Sequence, residues 1–173
     1  MKPTSAAPGF RVEGVDRFTI PVRDLARAAR FYTDVLGGDV VQQHAVELGA
    51  WETPAVRVEM SPGVQVVLVE QGHGWNAIDS TNPHWAFAIA GAELDTWVKH
   101  LTEWGVPSAL QFRDPAAAEA GGPSCVELHF VDPDGNQFEL VAWDYRGDAR
   151  PSRPGRYDPW PLYYTHKSWS PEG

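Results

Sequence analysis

The sequence predicts an α+β protein made of two copies of one unit, strand–helix–strand–strand–strand. Three observations lead there. Short apolar runs alternate with polar residues and are bounded by Gly, Pro, Asn and Asp. Two apolar stripes at helical spacing each end on a glycine, and these stops, Gly37 and Gly105, lie 68 residues apart. Near the end of the second copy, HFVDPDGNQFEL (129–140) reads as two strands joined by a turn over Asp132-Pro133-Asp134-Gly135. Proline presets φ at the first corner and glycine permits a positive φ at the last.

The elements follow in order. Residues 14–22 alternate as a strand with Phe18, Ile20 and Val22 on one face. Asp24 is placed to cap a helix that carries Leu25, Ala28, Tyr32, Val35 and Leu36 as its apolar stripe, and Gly37-Gly38 stops it. Strands are expected at 39–43, 51–60 and 64–70, the last two joined through Pro62-Gly63. A Gly/Asn/Ser-containing stretch, 71–83, links the copies. The second begins with a strand at 84–90, with Trp85, Phe87 and Ile89 on one face. Its helix carries Leu94, Trp97, Val98 and Leu101, and strands follow at 108–113, 124–131 and 137–142. The GAELDT segment opens that helix with Gly91 but lacks phosphate-loop spacing. DPAAAEAGGP (114–123) is expected to be a flexible loop. The division is thus 14–70, first module; 71–83, linker; 84–142, second module; 143–173, tail. The tail holds Trp143, Tyr145, Tyr157, Trp160, Tyr163, Tyr164 and Trp169 among prolines. So much ring surface favours burial on the body or on a partner subunit; the functional alternative is a lid bearing Tyr163, Tyr164 or His166.

Bulk properties narrow the function. A length of 173 residues suits one domain or two fused modules. A formal charge of −9 argues against nucleic acid and against an anionic membrane surface. The single Cys125 excludes an intrachain disulfide framework, and it is expected to be a small buried apolar residue. No run approaches membrane-spanning length, and MKPTSAAPGF lacks a signal-peptide core. A cytoplasmic location is the default expectation. His44, His73 and His100 are expected to be solvated.

Strand parity sorts the candidates. One face collects Phe18/Ile20/Val22, Val66/Leu68, Trp85/Phe87/Ile89, Val126/Leu128/Phe130 and Phe138/Leu140. The other collects Arg17/Thr19, Gln65/Val67/Val69, His84/Ala86, Glu127/His129 and Gln137/Glu139. A turn over 132–136 sets His129 opposite Glu139. Glu139, flanked by Phe138 and Leu140, needs a metal, a partner or an open cavity, because an unpaired buried charge is costly. Histidine and carboxylate together suit a divalent transition metal. A metal-free reading also stands, in which Glu139 pairs with Arg17 or bonds a structural His84.

VDRFTIPVRDLARAARFYTDVLGG, HWAFAI and FVDPDGNQFEL, in this order, resemble the vicinal oxygen chelate superfamily, over residues 14–142. That group includes glyoxalase I, extradiol dioxygenases, fosfomycin-modifying enzymes and bleomycin-binding proteins. The resemblance implies two βαβββ modules forming a curved mixed sheet around a central cavity that holds a divalent metal (Fe, Mn, Ni or Zn), and a homodimer. It puts His84 and Glu139 at metal positions. Arg17 and Val67 fall at the other two, and a guanidinium cannot donate a lone pair. A substitute ligand would come from His129, Glu127, Glu59, His44 or His166. His129 is alternatively a general acid/base, and Arg17 holds a substrate carboxylate or oxyanion. Arg17, Thr19, Val67 and Gln137 are the candidate substrate contacts. Two functions follow: a metal-dependent dioxygenase, lyase or isomerase acting on a small oxygen-rich or aromatic molecule, or a metal-free protein that sequesters a planar or cationic drug.

Overall fold

A computed structural model of the chain describes residues 15–48, 51–71, 84–113, 120 and 122–147. The first module runs β1 (Arg17–Val22), α1 (Leu25–Arg30), β2 (Asp39–Leu48), β3 (Trp51–Ser61) and β4 (Val64–Glu70). The second runs β5 (His84–Ile89), α2 (Leu94–Glu103), β6 (Ser108–Phe112), β7 (Ser124–Val131) and β8 (Gln137–Tyr145). Each module folds into a four-stranded mixed sheet, in the orders β1-β4-β3-β2 and β5-β8-β7-β6. In both, the first strand pairs in parallel with the last and the remaining pairs are antiparallel. The expected repeat is therefore present in topology as well as in element order.

Local chemistry accounts for the boundaries. Asp24 accepts the backbone N–H of Arg27 (2.9 Å) and starts α1. Gly37 and Gly105 adopt φ of +74° and +66°, the left-handed values that end a helix where a Cβ is disfavoured. The helix expected to continue through Leu36 instead passes into a π-helical turn, Phe31–Val35, closed by Leu36 N–H to Phe31 O (3.1 Å). The extra residue in that turn lets the consecutive rings of Phe31 and Tyr32 both face inward. They meet Phe130 (centroids 6.5 Å) and Phe138 (5.8 Å) of the other module. Strand β2 continues to Leu48, beyond the expected residue 43, and β8 continues past Ala142 to Tyr145. This first stretch of the expected tail is the end of a strand: Tyr145 is buried and donates to Asp95 (2.7 Å), whereas Trp143, expected to be buried, points from the strand's other side and is exposed.

The apolar parity set forms one core shared by both modules. Ile20, Val22, Val66 and Leu68 of the first sheet cluster with Val126, Leu128, Phe130 and Phe138 of the second, around Phe31, Tyr32, Leu94 and Leu101. Phe18 closes the seam between β1 and β5, edge-on to Trp85 and Phe87. Both sheets thus turn their helix-facing sides toward one interior, and their opposite faces look away from it.

The hairpin between β7 and β8 reaches across this interior. Asp132 accepts four hydrogen bonds: from the backbone N–H groups of Asp134 (2.9 Å) and Asn136 (2.8 Å), from Asn136 Nδ2 (2.7 Å) and from Tyr32 OH (2.9 Å). Asp134 accepts from Arg23 N (3.1 Å) and Arg27 (3.2 Å). The turn of one module is therefore bolted to the helix of the other.

Candidate metal centre

The polar face of the second sheet gathers four side chains from three neighbouring strands. The β7–β8 register sets His129 opposite Glu139, as the turn length predicts. In the parallel β5–β8 pair, His84 stands opposite Gln137, two residues from Glu139 on the same face. Glu139 Oε1 lies 3.2 Å from His84 Nε2 and 3.2 Å from His129 Nδ1. The other ring nitrogen of His129 stands 3.5 Å from Glu127 Oε2. Glu127 Oε1 accepts from Arg113 at 2.6 Å. Glu127, His129 and Glu139 offer ligand atoms within 4.8 Å of one another, and all three are buried. His84 is half exposed, so the cluster opens to solvent on its side.

Burial governs the charges. It holds the His129 imidazole down at about 4, with His84 and Arg113 adding repulsion, so the ring is neutral at pH 7 and carries a single N–H. Burial also pushes the Glu139 carboxyl up, against the attraction of His84, and the Glu127 carboxylate pushes the same way. Arg113 neutralises Glu127 across the rim. The cluster therefore sets two carboxylates, Glu127 and Glu139, beside a neutral His129 ring, with the Arg113 guanidinium paired to Glu127 at its rim.

These residues suit a divalent metal. At bonds of about 2.1 Å to nitrogen or oxygen, neighbouring ligand atoms stand roughly 3.0 to 3.4 Å apart, and both 3.2 Å spacings fall in that range. The mixed histidine–carboxylate chemistry fits iron, manganese, nickel or zinc. Glu127 Oε2 is buried without a hydrogen bond, the condition that an added cation nearby relieves.

The first-module candidates lie elsewhere. Arg17 is half exposed and pairs with Asp16 (3.0 Å), not with Glu139, so the Arg17–Glu139 ion pair is not formed. Glu139 meets two imidazoles in its place. Thr19 is exposed, and Val67 is buried in a small apolar cluster with Ala55 and Val69. Gln137 is buried on the face of the centre. Glu59 accepts the backbone N–H of Gly63 (3.3 Å), and His44 sits on the outer strand β2, so neither joins the cluster. His100 is not simply solvated: its Nε2 bonds Val35 O (2.8 Å), and its ring packs against Trp97 and Trp104. Cys125 is only partly buried, and burial together with Glu127 pushes its thiol up, away from reactivity. His73, His166, Tyr163, Tyr164 and the other aromatics beyond 147 lie outside the described residues, as do the N-terminal stretch, most of the linker and most of the 114–123 loop.

Arg113 and the pairing role of Glu127 were not evident from the motifs. Parity contained the signal: Gln111 is opposite Glu127 in the β6–β7 pair, and Arg113 is two residues further along.

The fold and this face define a two-module βαβββ protein with a histidine–carboxylate cluster on one sheet. The family profile of the Glyoxalase/Bleomycin resistance protein/Dioxygenase superfamily matches residues 14–140, and the chain belongs to that superfamily. It is 25% identical over 130 residues to a metallothiol transferase FosB of Staphylococcus haemolyticus, covering 75% of this chain and 83% of the relative. Among solved structures it resembles a glyoxylase/bleomycin resistance protein/dioxygenase domain from Frankia sp. (TM-score 0.61, 21% identity, 77% of this chain and 99% of the other). It also resembles the fosfomycin resistance protein FosX of Listeria monocytogenes in complex with Mn(II) and sulfate (TM-score 0.57, 19% identity, 76% and 93%). No described helix is long and apolar enough to cross a membrane.

Proposed function

We propose that this protein is a metal-dependent enzyme acting on a small oxygen-rich or aromatic molecule, with the divalent ion held by His84 and Glu139. The observation that carries the reading is Glu139 Oε1 at 3.2 Å from an imidazole nitrogen of each of two histidines, on a buried face that opens at His84. When bound, such an ion supplies Lewis acidity to substrate oxygens. The chain's own residues do the rest. Half-exposed His84 marks the side from which substrate enters, while buried Glu139 and Gln137 form the floor. Water is excluded from the His129 side, which strengthens each electrostatic contact there. The reaction class is that of a dioxygenase, a lyase or an isomerase. The FosB and FosX relatives make fosfomycin the first compound to test.

A homodimer belongs to the same reading. Arg17, Thr19 and Val67 occupy a sheet face that looks away from the shared core, as does the His84–Glu139 face. Contact of the first set with a substrate at the second needs another copy of the chain. A cytoplasmic location is retained as part of the proposal. A second reading, a metal-free drug-binding protein, is favoured by Arg17 and Val67 at two metal positions of the superfamily.

Anaerobic reconstitution of the full-length protein with iron, manganese, nickel or zinc separates the two. The enzyme reading expects near one equivalent per chain, lost in His84→Ala. Less than about one-tenth equivalent with every ion leaves the drug-binding reading, and metal content unchanged in His84→Ala removes the ligand assignment. Light scattering should return twice the chain mass.

A further inference from the structure

We propose that His129 is the third protein ligand of this centre, through Nδ1, and that Glu127, held by Arg113, is the positioning residue that presents it. The inference rests on the metal reading above and specifies its ligand set.

The geometry distinguishes a ligand from a proton carrier. His129 lies on the inner strand β7, its side chain 4% exposed, against 50% for His84. A general acid/base must reach substrate, whereas His129 has one ring nitrogen toward Glu139 and the other toward Glu127. Its Nδ1 shares Glu139 Oε1 with His84 Nε2 at the same 3.2 Å distance. His84 Nε2 and His129 Nδ1 thus flank one carboxylate oxygen from neighbouring strands, and two histidines with a carboxylate are the donor set of a metal with open positions.

Glu127 explains how the ring is set. Its Oε1 is taken by the guanidinium of Arg113, through both Nε and an Nη, at 2.6 Å. That leaves Oε2, buried and without a hydrogen bond, facing His129 Nε2 at 3.5 Å. A proton on Nε2 is attracted there, so the Nδ1 lone pair is directed at the centre. A carboxylate behind a metal-bound histidine fixes tautomer and orientation in this way. Glu127 itself is a poor ligand here, because its charge is matched by Arg113. All three proposed ligands come from one module, on β5, β7 and β8. The replacement of histidine by Arg17 in the first module then removes nothing that the second does not supply.

The test reads coordination rather than turnover. Full-length protein labelled with ¹⁵N-histidine and loaded with Zn(II) is examined by long-range ¹H–¹⁵N spectra. The expected result is His84 metallated at Nε2, and His129 metallated at Nδ1 with Nε2 protonated. Glu127→Gln should keep both metallated rings and weaken Zn(II) binding by about 10- to 100-fold. His129→Asn should lose its signal and weaken binding by more than Glu127→Gln does. Zinc bound at His84 with His129 unmetallated overturns this inference and leaves the metal reading standing; no bound zinc, iron, manganese or nickel overturns both. Because the nitrogen assignment is made on the wild-type chain, a variant that fails to fold does not remove the test.

Discussion

Removing the Tyr32 hydroxyl should loosen one module from the other without opening a cavity. Tyr32 is fully buried and donates to Asp132 Oδ2 at 2.9 Å, from the π-helical turn that follows α1 to the β7–β8 turn of the other module. In Tyr32→Phe the ring keeps its edge contacts with Phe31 (5.7 Å) and Phe138 (5.8 Å), so the apolar packing is retained. What is lost is one hydrogen bond to a carboxylate, worth about 1.5 to 3 kcal/mol. Asp132 still accepts from Asp134 N, Asn136 N and Asn136 Nδ2, so it is not orphaned. The expected loss at pH 7.5 is therefore near the lower end, about 2 kcal/mol, read from equilibrium urea unfolding. The loss should also depend on pH. Burial raises Asp132 to about 6, and the Tyr32 donor opposes that rise by favouring the ionised form. The penalty should then shrink as pH falls through 6 and Asp132 protonates in both proteins. A cost below about 0.5 kcal/mol at pH 7.5, or one that grows on acidification, would refute the latch.

Other outcomes follow from the same contacts. Asp132 and His129 should make stability respond to pH with opposite signs. The folded pKa of Asp132 is raised to about 6, so its contribution is full below about 4 and is lost as pH rises through 6. That of His129 is lowered to about 4, so its contribution is full above about 6.5 and is lost as pH falls through 4. In metal-free protein between pH 4 and 6.5, Asp132→Asn should therefore lose stability on acidification more steeply than wild type, and His129→Gln less steeply; parallel profiles would contradict both assignments. Arg113→Leu should cost roughly 2 kcal/mol, because it strands buried Glu127, the figure being moderated by solvent around the half-exposed guanidinium. Adding Glu127→Gln should recover most of it in a double-mutant cycle. Gly91→Ala should destabilise by thermal unfolding, since its Cβ would meet the backbone of Asp144 at 2.7 Å; an unchanged Tm would mean that β8 can yield there.

The parts legible in the sequence were those set by period and by turn chemistry. Alternation assigned Ile20, Leu68, Leu128 and Phe138 to the interior, and each is buried. The turn over 132–136 was enough to set His129 opposite Glu139. Contacts between elements distant in the chain were not legible. Arg17 and Glu139 shared a parity, but parity names a face of a strand and not which sheet that face belongs to. The two sheets present their polar sides in different directions, so the pair never forms. Asp132 looked like turn chemistry alone, because its fourth donor, Tyr32, comes from 100 residues earlier. The same holds for Gly91, whose need for smallness lies in a close approach to Asp144, 53 residues on.

The outward direction of the polar faces separates two demands that many small enzymes must meet with the same atoms. A cavity sunk into the core makes every change of lining residue a change of packing. Here odd-numbered positions of β7 line the proposed chemistry and even-numbered ones fill the interior, so the lining can vary without touching Leu128 or Phe130. An arginine where a ligand is expected, or a valine where a carboxylate is expected, leaves the foundation intact. Such a chain can exchange the residues of that face while keeping its apolar interior, and the stability cost of each exchange is set by the partners on the face itself, as for Arg113 and Glu127.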